Sequence, residues 1–247
     1  MTRVIEMILT REQLHALIFG LADQITFAES NRLLYKRLTE LCGEGKDFEL
    51  VYKRSQVFWM LMCNNMRNEI ISNLARLYDE QKDAFGLRRL IEECNKNLSL
   101  FPKKCPSTHY DNEGNPEYIS PQQVVAESWE VYNHVNSERL KLKKIRNKSI
   151  SHIEWKCLIN KAVVYDEFYW KDVEDLIFSA QDIVSKMLAA IYDEALMFEV
   201  DGFDDIDRLI TMAMYGYEKK KEEWLTKFSH FDGISRQNDA PTDSKSP

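Results

Sequence analysis

Between Arg139 and Lys148 the chain carries six cations, Arg139, Lys141, Lys143, Lys144, Arg146 and Lys148, with no acid among them. The block runs into RNKSISH, which sets Arg146, Asn147 and His152 close together in the sequence. A guanidinium stays charged and offers bidentate hydrogen bonds to phosphate oxygens. An imidazole has an unperturbed pKa of about 6.5 and exchanges a proton near neutral pH. With a side-chain amide beside them, these are the groups that phosphodiester chemistry requires. A basic run on a helix is also what a solvated face or a dipole-complementing C-terminus presents. It is the combination of fixed cation, amide and imidazole that points beyond a solvated face.

The surrounding composition restricts the other options. The chain has 247 residues, 33 Lys+Arg against 40 Asp+Glu, and a net charge of −7. An acidic protein does not coat duplex DNA indiscriminately, so any nucleic-acid contact must be local. The five cysteines, Cys42, Cys63, Cys94, Cys105 and Cys157, are odd in number and scattered, as expected of reduced thiols in a cytoplasmic protein. Cys94, Cys105 and His109 match no compact zinc spacing. There is no Gly-rich phosphate loop, no GxSxG and no HExxH, so the sequence predicts neither cofactor nor metal. The longest apolar run, Val57–Cys63, is too short for a membrane span.

With only 8 Gly and 6 Pro, the chain is expected to be all-α, a bundle of five or six helices. Thr10 and Gln13 form a capping-box pattern that opens a helix to about Cys42, stopped by Gly43–Gly45. A second helix fits Phe48–Asp79, with Met66, Ile70, Leu74 and Leu77 on one stripe and Asn65, Asn68, Asn73 and Arg76 off it. A short helix over Phe85–Cys94 precedes a Pro/Asn/Gly/Ser-rich stretch, Leu100–Pro121, expected to be a loop inserted between helices. Ser120 and Pro121 start the basic helix, which should run towards Asn147 with Val125, Trp129, Tyr132, Val135, Leu142 and Ile145 inward. After an irregular piece, with a brief strand at Val163–Tyr165, comes the most regular helix. Its Val173, Leu176, Ile177, Ala180, Ile183, Val184, Met187, Leu188 and Ile191 recur at three and four. A last helix is expected over Phe203–Phe228, and a disordered tail over residues 231–247. Trp155, Tyr165, Phe168, Tyr169 and Trp170 are suited either to stack on unpaired bases or to pack a loop onto the helices.

Arg followed by a polar residue and, four to six residues later, His resembles the motif of the HEPN superfamily, and RNKSISH matches it, Asn147 included. NEIISNLARLYDEQKDAFGLRRLIEEC (Asn68–Cys94) resembles the long-then-short helix pair of the abortive-infection, AbiU-like branch. The resemblance covers about residues 48–196, flanked by the helices 10–42 and 203–228 of one domain, 1–230. It implies a metal-independent endoribonuclease of phage defence or a toxin–antitoxin pair. Two subunits would face each other through their motif helices, with RNA as substrate and an antitoxin or defence protein as partner. His152 would then be general acid or base, Arg146 would neutralise charge on the phosphate, and Asn147 would orient the phosphate or hold His152. Lys143, Lys144 and Lys148 would draw in the RNA backbone. The alternative is a non-catalytic HEPN module that binds nucleotide, RNA or a protein. On an ideal helix Arg146 and His152 point about 120° apart, so either the chain bends after Lys148 or the site is shared between subunits. Where some HEPN toxins carry a modifiable Tyr two residues beyond the His, this chain has Glu154.

Overall fold

The computed structural model describes residues 9–41, 53, 55–81, 84–110, 116–147, 168–196, 198 and 203–237. Its helices are α1 (Arg11–Leu41), α2 (Gln56–Leu77), α3 (Leu87–Lys96), α4 (Pro121–His134), α5 (Asn136–Ile145), α6 (Trp170–Tyr192) and α7 (Phe203–Gln237). A single hairpin, β1 (Cys105–Tyr110) with β2 (Pro116–Ile119), is the only sheet among the described residues. The architecture is therefore all-α. The chain divides into two compact units, one of Met1–Tyr35 with Cys63–Asp201, the other of Lys36–Met62 with Gly202–Pro247.

The first unit is built around α6. All nine of its periodic apolar residues, from Val173 to Ile191, are buried. A helix this apolar must be surrounded on most sides, because leaving a Leu or Ile exposed forfeits about 1.5–3 kcal/mol each. It packs against α3, α4, α5 and β1. Ile18 and Ile25 of α1, Ile70 and Leu74 of α2, and Leu90 of α3 join the same core. Two hydroxyls buried in this core are satisfied. The Tyr78 hydroxyl donates to the Leu176 carbonyl at 2.6 Å, and the Ser179 hydroxyl to that of Val131 at 3.2 Å. Burial holds the Tyr78 phenol well above its ordinary pKa, so it remains a neutral donor.

Three local differences from the sequence expectation have physical causes. The Leu100–Pro121 stretch holds the β1–β2 hairpin rather than a plain loop, paired Cys105 to Ile119 and Pro106 to Tyr118, with an irregularity before Tyr110 pairs with Pro116. The Pro, Asn, Gly and Ser content of the stretch points to a loop, but Thr108, Tyr110, Tyr118 and Ile119 within it favour strands. The basic helix is not continuous. At Val135 (φ −94°, ψ 27°) α4 ends and α5 begins, and the Val135 N–H turns back to the Asn133 carbonyl. Neither Gly nor Pro marks this break. The last helix continues past Phe228 to Gln237, since no proline occurs before Pro241 and Gly233 alone only weakens a helix. Residues 238–247 and the strand expected at 163–165 lie outside the described residues.

The N-terminal cap of α4 is as expected: the Ser120 hydroxyl accepts the Gln123 N–H at 3.2 Å, with Pro121 in the first turn. Asn73, placed off the apolar stripe of α2, is nonetheless buried, and its amide donates to the Glu69 carbonyl at 2.8 Å.

Cys94 on α3 is fully buried, and burial pushes its thiol up to about 12. At pH 8 the thiol is therefore held in its unreactive protonated form. Iodoacetamide should leave Cys94 unmodified in the folded protein while slowly labelling half-buried Cys63, read by peptide mass spectrometry. Equal labelling of the two would mean that the inner face of α3 opens readily.

In the second unit, Arg37 and Asp207 form a bidentate pair, with Nε and Nη2 each 3.0 Å from a carboxylate oxygen. Leu38 is buried, whereas Val57, Phe58, Met212, Tyr215 and Trp224 are exposed. No described helix is long and apolar enough to cross a membrane.

Candidate nucleic-acid interface

Leu142 and Ile145 are buried and fix α5 in rotation, so the residues between and after them point outward or into a neighbouring cleft. Arg146 closes the helix in right-handed conformation (φ −50°, ψ −49°), its N–H reaching the carbonyls of Leu142 and Lys143. Lys143 and Lys144 occupy the last turn, where cations complement the negative end of the helix dipole. The ladder widens to a π-type turn at Arg146–Asn147, a local irregularity often found at functional positions. Lys148, His152 and Glu154 lie outside the described residues.

Arg146 is held from two sides. Its Nη1 lies 3.3 Å from Asp79 Oδ2, and its Nε donates to Asn147 Oδ1 at 3.2 Å. Both partners of the ion pair keep about a fifth of their side chains exposed, 21% for Arg146 and 22% for Asp79. This places Arg146 and Asn147 together, as their adjacency in the motif requires. Asp79 follows α2, where its Oδ1 accepts the Gln81 N–H at 3.1 Å. Its contact with Arg146 bridges sequence positions far too distant for any periodicity to reveal.

The turn carrying Asp79 is backed by Gly86, which begins α3. A Cβ at Gly86 would sit 2.6 Å from the Leu77 carbonyl oxygen, 3.1 Å from that of Arg76 and 3.2 Å from that of Asp79. All three are backbone atoms, so the turn has to move to admit a methyl group. Gly86→Ala should cost about 1–3 kcal/mol, visible as a lower urea midpoint. It should also displace the carboxylate that steadies Arg146. An unchanged midpoint would show that this approach is looser than the distances imply.

The end of α2, the start of α3 and α5 enclose a cleft of about 370 Å³, lined in part by Asp79, Glu80, Arg88, Arg139, Lys143 and Arg146. The basic block does not face one way. Lys141 turns to Asp172 at 2.8 Å, and that hydrogen bond raises the lysine's pKa. Arg139 folds over the Tyr132 ring, 3.8 Å from its centroid, a cation–π contact. Its Nη2 donates to Asn136 Oδ1 at 2.7 Å and lies 3.5 Å from Glu80 Oε1. Burial pushes the Tyr132 phenol up to about 12, and its hydroxyl donates to Glu80 Oε1 at 3.4 Å. Lys143 is exposed and makes no ion pair among the described residues, and Lys144 is also exposed. Of the aromatics after the motif, Trp170 stacks on Tyr35, with centroids 5.1 Å apart. Phe168 is packed against the core and Tyr169 is exposed.

Among the described residues no group of three or more His, Cys, Asp or Glu could hold a metal ion. The chemistry on offer is cationic and hydrogen-bonding, suited to an anion.

A family model described as AbiU2, HEPN_AbiU2, matches residues 11–208. The chain belongs to this HEPN family. No curated protein and no solved structure matches it. The HEPN_AbiU2 match begins with α1 and ends at residue 208, so it takes in the first flanking helix, which carries no recognisable motif of its own, and only the start of α7. The chain is thus a HEPN module of the abortive-infection kind.

Proposed function

We propose that this HEPN_AbiU2 protein is a metal-independent endoribonuclease acting in phage defence or as a toxin. The placement of Arg146 carries the reading. A guanidinium at the end of a basic helix, steadied by Asp79 and Asn147, lines a cleft with more cations than acids. His152 follows six positions later, and six residues reach at most about 20 Å. Two copies of the chain, motif helices opposed, complete the site. One His152 takes the proton from a ribose 2′-hydroxyl. The 2′-oxygen attacks the adjacent phosphorus, the bond to the 5′-oxygen breaks, and the His152 of the other copy gives that oxygen a proton. Arg146 neutralises the charge that gathers on the phosphate oxygens, and Asn147 orients them. Lys143, Lys144 and Lys148 draw in the strand, which makes binding salt-dependent.

The test uses the full chain with an RNA oligonucleotide in EDTA, beside the same strand carrying a single 2′-deoxyribose. The RNA should be cut to products ending in 2′,3′-cyclic phosphate and 5′-hydroxyl, and the modified linkage should survive. Cleavage next to the deoxyribose, or dependence on added magnesium, would refute the mechanism. Tight binding without any cleavage would leave the non-catalytic module, a reading favoured by the two carboxylates that share the cleft with the guanidiniums.

A further inference from the structure

Arg139, Lys143 and Arg146 stand at i, i+4 and i+7, so they line one face over about 10 Å of helix. That span matches two to three phosphates of a stacked strand at about 3.4 Å per nucleotide. Across the cleft stands Arg88 of α3, its Nε 2.9 Å from Glu92 Oε1. The cleft lining thus holds three guanidiniums and one ammonium against two carboxylates, Asp79 and Glu80.

Arg139 is the unusual member. Its side chain is only 12% exposed. Its Nε and Nη1 are buried without a hydrogen-bond partner among the described residues. Its carboxylate contact among the described residues, Glu80 at 3.5 Å, is long for a charge-assisted hydrogen bond. Leaving charged donors buried and unpaired costs more than the 1–3 kcal/mol of a neutral group. Packing alone would be served as well by an apolar residue over Tyr132. Those two donors are closed to a ligand, so what Arg139 offers the cleft it lines is its charge and its Nη2 edge, weakly met by Glu80, which suits an anionic ligand.

We infer that Arg139, with Arg88 opposite and Lys143 between it and Arg146, forms a second phosphate subsite that holds the RNA backbone beside the phosphate at Arg146. The inference rests on the proposed RNA reading for its ligand but not for its geometry. Arg139 and Arg88 act here in binding and take no part in proton transfer. The subsite lengthens the footprint along the strand, so substrates reaching past the scissile phosphate towards Arg139 bind more tightly than a dinucleotide.

The experiment measures fluorescence anisotropy of a 2′-O-methyl RNA strand, which has no free 2′-hydroxyl to attack, across a KCl series. It compares the full-length wild type with Arg139→Gln, Arg88→Gln and the control Lys96→Gln, a residue on α3 paired with Glu93 and outside the cleft lining. Each cleft variant should bind several-fold more weakly and lose about 0.7 from the slope of log K against log[KCl]. Lys96→Gln should do neither. Arg88 is exposed, so its variant remains informative if Arg139→Gln fails to fold, as far-UV circular dichroism will report. A parallel titration with inorganic pyrophosphate separates subsite from substrate. Arg139- and Arg88-dependent pyrophosphate binding without any strand binding would retain the subsite and refute the RNA reading. Strand binding with wild-type slopes in both variants would refute the subsite and leave the RNA reading standing. Loss of neither ligand in either variant overturns the inference outright.

Discussion

Single-turnover cleavage of an RNA strand by His152→Ala should be about 10²–10⁴-fold slower than by the wild type, the usual worth of a positioned acid or base. Binding of an uncleavable strand should change far less than the rate, because the arginines and lysine lining the cleft supply most of the charge that holds it. Arg146→Ala should lose about 10²–10³-fold in rate, as other groups that stabilise a developing anion do, and should also weaken binding. Arg146→Lys is the more telling change. An ammonium keeps the charge but cannot present parallel donors to a phosphate while also contacting Asp79 and Asn147. It should restore binding and salt dependence but recover little of the rate. If all three variants cleave at the wild-type rate, whatever activity the preparation shows does not come from this site.

The second large effect is on stability. Arg32 is 7% exposed and grips Glu29 through Nε and Nη2 at 2.6 and 2.7 Å, while its Nη1 reaches Glu174 of α6 at 2.7 Å. Glu29 is itself 9% exposed at the side chain. Removing the guanidinium leaves that carboxylate buried without its counter-charge, the costly half of breaking a buried pair. Arg32→Met should therefore lose about 3 kcal/mol, with the better-solvated Glu174 contributing less. For a domain of this size that lowers Tm by about 6–12 °C, measured by circular dichroism. The double variant Glu29→Met/Arg32→Met should recover most of the loss, since two apolar side chains of similar volume replace the pair. A single variant within 1 kcal/mol of the wild type would show that water reaches Glu29.

How legible the molecule was from its residues depended on the range of the interaction. The ladder from Val173 to Ile191 announces a central helix because local spacing and burial coincide, and every one of those residues is inside. Val125, Tyr132, Leu142 and Ile145 were likewise assigned inward from periodicity and are buried. The break at Val135 was not legible, because no Gly or Pro announces it and the apolar spacing continues across it. The hairpin was obscured because prolines and turn residues outnumber the strand formers around it. For the site, Arg146 and Asn147 could be picked out by type and adjacency. Asp79 and Glu80 could not be assigned to it, because only the folded chain brings the turn after α2 beside Arg139 and Arg146. The i, i+4, i+7 spacing of Arg139, Lys143 and Arg146 was available in the sequence. That Arg139 lies over Tyr132 could not be known before the face of α4 was fixed.

The central helix α6 supplies none of the residues assigned to phosphate chemistry, and α5 contributes little to the interior beyond Leu142 and Ile145. Heritable change can therefore alter one property while sparing the other. If the protein arrests its own host, clones that escape should fall into two groups. Some would carry charge-altering codons between 139 and 152 and still accumulate an intact polypeptide. Others would carry polar or truncating codons in the 173–191 interval, and their product would be degraded. The ratio of the two groups in a selection for survivors would measure how independently chemistry and folding are encoded.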